Sequence, residues 1–168
     1  MKYFMGVDPG AKGSIAVLKK DGSIQEVFFL SSTEAEIAEC IDAWNPYSGG
    51  NCTSQVNCCL ERVHSMPGQG VRSMFTFGQN YGFLRGCLFS SGIVPEDVSP
   101  RTWQKELNID PRRIKRGETK NKFKERLLNK AKTLWPHYYL WEEPKTKGKQ
   151  LALCDALLIA ESCRRKFQ

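Results

Sequence analysis

The stretch YFMGVDPGAKGSIAVLKKDGSIQEVFFL, residues 3–30, decides the fold. Three runs in it, Tyr3 to Asp8, Gly13 to Lys19 and Ile24 to Leu30, are apolar or alternating, and the turn signals Asp8-Pro9-Gly10 and Asp21-Gly22 separate them. Short gaps of that chemistry join antiparallel neighbours, so the chain opens with a three-stranded meander. Thr33 then stands as an N-cap before Glu34, with Ile37, Ala38 and Ile41 at helical spacing, which predicts a helix to about Trp44. After a polar loop, Asn45 to Gln55, the run Cys58-Cys59-Leu60-Glu61 reads as a short buried strand closing on a carboxylate. A helix follows from about Val71 to Ser91, then a strand from Ile93 to Val98. Pro100, behind Ser99, opens a short helix to Leu107, and Glu118 to Trp135 forms a basic amphipathic helix stopped by Pro136. Leu151 to Arg165 is the last helix, with Leu153, Leu157, Leu158 and Ala160 on its apolar face. This order describes a mixed sheet flanked by helices, an α/β layered fold in a single domain spanning 1–168.

The 168 residues suffice to bury a full core without a metal or disulfide staple. With 40% hydrophobic and 26% charged residues, disordered and fibrous classes are excluded. No apolar run approaches the 18 residues that a membrane-crossing helix needs, and MKYFMGVDPG leads straight into a strand with no cleavable leader. A soluble protein that is intracellular, or a mature form, is therefore expected. The seven cysteines are odd in number and include no Cys-x-x-Cys, so they read as reduced thiols. A zinc site from Cys52, Cys58 and Cys59 would lack the second spaced pair or histidine cluster that zinc requires.

Charge is unevenly spread within a net of +7. Residues 1–100 hold 7 Lys and Arg against 10 Asp and Glu, whereas residues 101–150 hold 15 against 6. Trp103, Phe123, Trp135, Tyr138, Tyr139 and Trp141 are interleaved with the basic residues, a pattern that points to a nucleic-acid partner. By the same reading Lys19, in the acidic part, should matter little.

Gly78, Gly82 and Gly86 recur every four residues in a helix, where each costs about 1 kcal/mol relative to alanine. The bare stripe implies the close approach of another backbone, either the chain's own sheet or a partner subunit.

A carboxylate at the end of an apolar run is disfavoured unless something compensates it. Asp8 closes the first strand, Glu61 closes the fourth, and Asp155 sits in the apolar face of the last helix. Each has a plain structural alternative: Asp8 as a turn former, Glu61 paired with Arg62 or Arg85, Asp155 paired with a lysine. Brought together, the three would repel one another unless divalent metal sat between them, and oxygen-only ligands select Mg²⁺ or Mn²⁺. On a basic protein, such a site suits phosphodiester hydrolysis.

Gly6-Val7-Asp8-Pro9-Gly10, Gly13-Ser14-Ile15-Ala16-Val17, Leu60-Glu61-Arg62-Val63-His64, Gly78-Gln79-Asn80-Tyr81-Gly82 and Asp155-Ala156-Leu157-Leu158-Ile159-Ala160 together resemble the RuvC-type Holliday-junction resolvases. The likeness runs from Tyr3 to about Arg165 and looks closest to the phage and chloroplast branch. It implies an RNase H-like fold with a mixed five-stranded sheet and a homodimer acting on four-way DNA junctions in recombination and repair. The activity implied is that of a metal-dependent endodeoxyribonuclease, a crossover junction resolvase making paired nicks. By the same resemblance, Asp8, Glu61 and Asp155 would hold two Mg²⁺ or Mn²⁺ ions. His64 would meet bases near the junction centre, and Lys120 would act at the backbone or on developing phosphate charge. Arg112, Arg113, Lys115, Arg116 and Lys122 would join Lys120 in binding DNA. The compartment would be a host cytoplasm or an organelle matrix.

The chain departs from that pattern at one point. The family usually carries a further acidic or His ligand three or four residues before the last Asp, and here those positions are Ala152 and Leu151. Glu161 lies on a different helix face, which leaves Glu142, Glu143 or water to fill the place. A junction-binding protein with weakened catalysis is therefore the competing expectation. An actin-like ATPase, which also begins with an Asp-Gly strand motif, lacks room here for its second domain.

Overall fold

A computed structural model describes residues 1–10, 12–47, 55–62, 70–109, 120–141 and 147–168. Strands β1 (Lys2–Val7), β2 (Ser14–Lys19) and β3 (Ile24–Phe29) form the meander, and β4 (Gln55–Glu61) and β5 (Pro95–Val98) extend it on the other side in the order β3-β2-β1-β4-β5. β2 runs antiparallel to β1 and β3, while β4 is parallel to both β1 and β5. The expected mixed five-stranded sheet is what the chain builds.

The turns explain the meander. Asp8 N–H donates to the Ser14 carbonyl at 3.0 Å and Gly13 N–H to the Gly10 carbonyl at 2.7 Å, closing the β1–β2 connection. At the β2–β3 turn Gly22 adopts φ +87°, a conformation open to glycine at no steric cost, and Asp21 Oδ1 accepts from Ser23 N–H and hydroxyl.

Helices cover both faces. α1 (Glu34–Asp42) starts on a complete capping box: Thr33 Oγ1 accepts from Glu36 N–H, and Glu36 Oε2 accepts from Thr33 N–H. It packs with α2 (Val71–Ser90) over Met5, Val7, Ile15, Val17, Cys58 and Leu60. α2 ends in a Schellman motif, Gly92 N–H to the Phe89 carbonyl and Ile93 N–H to the Leu88 carbonyl. This accounts for a strand that begins later than the sequence predicts. The Ile93 amide is spent on the helix, and the ladder starts only at Pro95.

The opposite face carries α3 (Pro100–Glu106), α4 (Lys120–Leu134) and α5 (Lys147–Phe167), with a 3-10 turn at Tyr139–Trp141. α5 begins before the expected Leu151 and crosses β1, β2 and β4. Its contact with β1 is backbone on backbone. A Cβ on Gly6 would sit 2.2 Å from the Ala160 amide nitrogen and 2.4 Å from the Ala156 carbonyl oxygen, so no larger residue fits there.

The glycine stripe of α2 behaves otherwise. A Cβ at Gly78, Gly82 or Gly86 would meet nothing within 4 Å among the described residues, so the chain's own sheet is not the approaching backbone. α2 uses Leu84 and Leu88 for its buried contacts, and the stripe belongs to another face.

Candidate active site at the ends of β1 and β4

Asp8 follows directly on β1, and Glu61 is the last residue of β4. These strands are parallel neighbours with Val7 beside Leu60, which puts Asp8 and Glu61 on the next rung. The close packing at Gly6 seats Ala156 on β1, and Asp155 is the residue before it. A second tie comes from buried Ser14, whose hydroxyl donates to the Ala152 carbonyl at 2.9 Å. The element register thus delivers three half-buried carboxyls to one end of the sheet.

Their charges interact. Burial raises the Asp8 pKa above the usual carboxylate value, opposed by the hydrogen bond from Gly10 N–H at 3.0 Å and by the Lys124 charge. Glu61 is pushed up to about 7 by burial and by the Asp8 charge, against the Trp103 Nε1 hydrogen bond at 2.9 Å. Asp155 is raised well above its usual value by burial and then by Asp8 and Glu61, with Lys124 opposing. No hydrogen bond from a described residue reaches Asp155. Three acids sharing one end of a sheet with so little compensation form a site short of positive charge.

No protein-family model and no curated protein matches the sequence. Among solved structures, T. thermophilus RuvC in complex with Holliday junction substrate aligns with a TM-score of 0.62 at 15% identity, over 95% of this chain and 91% of that one. Thermus thermophilus RuvC aligns at 0.59 and 14%, over 95% and 92%. The fold is that of RuvC.

Within the RuvC fold, the structural alternatives weighed for the carboxylates fall away for Glu61. Arg85 pairs with Asp97 instead, at 2.7 Å, and Glu61 takes its hydrogen bond from Trp103. Glu161 is bound by Arg164 and Arg165 and is not available to the site. Ala152 is buried with its carbonyl held by Ser14, and Leu151 packs against the core, so the turn before Asp155 serves packing. Among the described residues, no three His, Cys, Asp or Glu side chains are gathered closely enough to hold a metal ion as they stand. The donor chemistry nevertheless fits a hard divalent cation, since it offers three carboxylates that feel one another's charge at the sheet end.

Two residues of the site escaped the sequence reading. Trp103, counted there among the aromatics facing nucleic acid, is fully buried and orients Glu61. Lys124, four residues after Lys120, is the cation whose charge reaches Asp8 and Asp155. Lys124 is itself exposed, so no burial pattern in the sequence marks it out from the other lysines of α4.

The other aromatics are also corrected. Trp141 is buried and donates to the Trp135 carbonyl, Trp135 donates to the Gly22 carbonyl at 2.8 Å, and Tyr138 is half-buried. Tyr139, 67% exposed, is the ring among these six that α4 and its flanks present most openly. Lys122 is exposed in the first turn of α4. His64, Arg112, Arg113, Lys115, Arg116, Glu142 and Glu143 lie outside the described residues, as does the Lys120 side chain.

Proposed function

We propose that the chain is a metal-dependent endonuclease that resolves four-way DNA junctions by paired phosphodiester hydrolysis. The observation that carries this reading is the approach of Asp8, Glu61 and Asp155 to one end of the sheet, all three raised by burial and Glu61 and Asp155 also by their neighbours' charge. The RuvC fold and the net charge of +7 support it. Asp8, Glu61 and Asp155 would hold Mg²⁺ or Mn²⁺, two ions per site, and when bound these supply an activated water and stabilise the leaving oxygen.

The protein's own groups do the rest. Gly10 N–H fixes the Asp8 carboxylate, Trp103 fixes that of Glu61, and Ser14 with Gly6 fixes the turn of α5 that carries Asp155. Lys124, whose charge reaches Asp8 and Asp155, would present positive charge to the scissile phosphate, and Lys120, one helical turn before it in sequence, would act with it. His64 would reach bases at the junction centre, while Arg112, Arg113, Lys115, Arg116 and Lys122 would hold the backbone.

Two nicks at symmetric positions call for two sites related by a two-fold axis, hence a homodimer. α2 offers the surface: Phe75 is 67% exposed, Val71 and Phe89 are also exposed, and the glycine stripe is open. Residues 1–168 would act as one nuclease domain, within a cell or organelle, in recombination and repair. No described helix is long and apolar enough to cross a membrane. Within the family, the motifs favour the phage and chloroplast branch.

Ala152 and Leu151, where the family usually places a further ligand, favour a second reading, a junction-binding protein with weakened catalysis. Incubation of a labelled four-way junction with Mg²⁺ or Mn²⁺, beside gel shifts in Ca²⁺, separates the two. Linear duplex and RNA/DNA hybrid serve as controls. Symmetric nicks support the resolvase, and tight binding without nicks supports the alternative.

A further inference from the structure

Asp8 and Glu61 stand on one face of the sheet. Phe4, Cys59 and Val98 belong to the core beneath α3, α4 and α5, and strand alternation puts the two acids on that same face. Asp155 is carried by α5, which covers it. Lys124 brings positive charge from one side, since the end of α4 is tied to the β2–β3 turn, where Trp135 Nε1 donates to the Gly22 carbonyl at 2.8 Å. On the other side lie β4, β5 and α3.

The neighbours of α3 fix its place there. Val98 pairs with Glu61 at the end of β5, and Ser99 caps α3 directly after it, its hydroxyl accepting from Thr102 N–H at 3.1 Å. Trp103 Nε1 donates to Glu61 at 2.9 Å. Glu106, the last residue of α3, accepts from the Ser162 hydroxyl, about two turns beyond Asp155 on α5. α3 therefore starts at the end of the sheet that the carboxyls approach, on their face, and runs away from it.

Arg101 sits in the first turn of α3. It is exposed, and its side chain makes no hydrogen bond or ion pair with a described residue. The helix dipole opposes a cation at this position, and no acidic residue in the first turn offsets it. Lys105, in the last turn, is favoured by the same dipole. The acids around α3 are already engaged. Asp97 points to the opposite face, where Arg85 and Tyr81 hold it. Glu96 pairs with Lys166, and Glu106 holds Ser162 beside that same lysine. Burial and Asp8 raise Glu61 with no cation opposing, so Arg101 stands beside the carboxyls and not among them.

Neighbouring strands lie about 4.8 Å apart, so the step from Asp8 through Glu61 to Val98 spans roughly 10 Å. One DNA strand carries a phosphate per about 3.4 Å of helix axis. We propose that Arg101 grips a backbone phosphate of the cleaved strand, within about three nucleotides of the cut, on the side opposite Lys124. Arg101 holds the strand and leaves the chemistry to the carboxyls. The contact rests on the nuclease reading and gives the substrate strand a path across the end of the sheet, from the α4 side to α3.

The experiment binds a four-way junction of mapped cleavage position in Ca²⁺, with one uncharged methylphosphonate linkage moved through the phosphates on each side of the cut. Wild-type protein should lose about five- to tenfold in affinity at a contacted phosphate. Arg101→Ala should bind the unmodified junction about as weakly, ignore the neutral linkage at one position only, and show a salt slope shallower by about 1. Arg101→Lys should recover part of the affinity, as a point charge without the guanidinium fork. Lys105→Ala should keep the full linkage sensitivity, and the position that Lys124→Ala ignores should fall on the other side of the cut. All variants should melt as the wild type does, because these side chains are exposed. Arg101→Ala with wild-type affinity and linkage sensitivity overturns the contact and leaves the nuclease reading standing. A lowered melting temperature with sensitivity intact makes Arg101 structural and overturns it too, and Arg101 and Lys124 positions on one side of the cut overturn the path. Wild-type protein that fails to bind the junction overturns the nuclease reading itself.

Discussion

The indole N–H of Trp103 gives Glu61 its one hydrogen bond from a described residue, and that carboxyl still titrates near 7. A carboxyl raised in the folded state from 4.5 to about 7 contributes stability that is complete below 4.5 and is lost as pH rises through 7. At about 1.4 kcal/mol per unit the loss is at most about 3 kcal/mol. Asp155, raised in the same direction, adds to it. Thermal melts without divalent metal should therefore show a midpoint falling between pH 5 and 8. Glu61→Gln should flatten that fall, and Mg²⁺ at pH 8 should reverse it in the wild type. A wild-type midpoint flat over this range would mean that the carboxyls are not destabilised. Trp103→Phe keeps the ring volume near enough but removes the donor. Urea unfolding should reveal a loss of about 1–3 kcal/mol, and the pH midpoint of cleavage should move upward. The three acids were legible in the sequence because each ends or interrupts an apolar run. Trp103 was not, because burial of an aromatic among basic neighbours depends on how α3 docks, which no local pattern states.

At the scale of elements, two sets of glycines look alike in sequence and part company in the fold. Gly6 lies under α5 with no room for a Cβ, while Gly78, Gly82 and Gly86 meet no described residue within 4 Å of where a Cβ would sit. Helical spacing revealed the α2 stripe but not what lies against it, since that depends on tertiary or quaternary packing. Gly82→Ala makes the difference measurable. With nothing to clash in the monomer, alanine should stabilise α2 by up to about 1 kcal/mol by chemical denaturation at low concentration. If the stripe is the seam of a dimer, sedimentation should show weaker association in the same variant; unchanged association would remove α2 from the interface. The meander, the Thr33 cap and the Ser99-Pro100 start were all legible because turn and cap chemistry is local. The start of β5 was not, because the Schellman motif of α2 had already taken the Ile93 amide.

For the whole molecule, the distribution of charge sets the long-range behaviour. If about six phosphates are neutralised, log affinity should fall against log salt with a slope of roughly −5, and a slope near zero in a titration from 50 to 200 mM salt would sink the electrostatic argument. Binding and cleavage should also separate. Asp155→Asn removes an oxygen ligand that a divalent ion would hold ionised, so cleavage should be lost while gel shifts in Ca²⁺ show junction affinity unchanged or tighter. A parallel loss of binding and of folding stability would instead make Asp155 a structural residue. Lys124 shows where linear reading stops, because one exposed lysine among several on α4 gains meaning only once the first strand and the last helix have brought Asp8 and Asp155 within reach of its charge.

Asp8 is made early by the ribosome and Asp155 late, and the helix that packs against Gly6 is α5. A nascent chain that has folded its meander and β4 still has a bare sheet face and an incomplete set of acids. Such long-range pairing is slow compared with the closure of the early hairpins. On the nuclease reading, translation order would then act as a safety catch: a partly synthesised chain would have no complete cutting site, and a chain truncated before α5 would never acquire one.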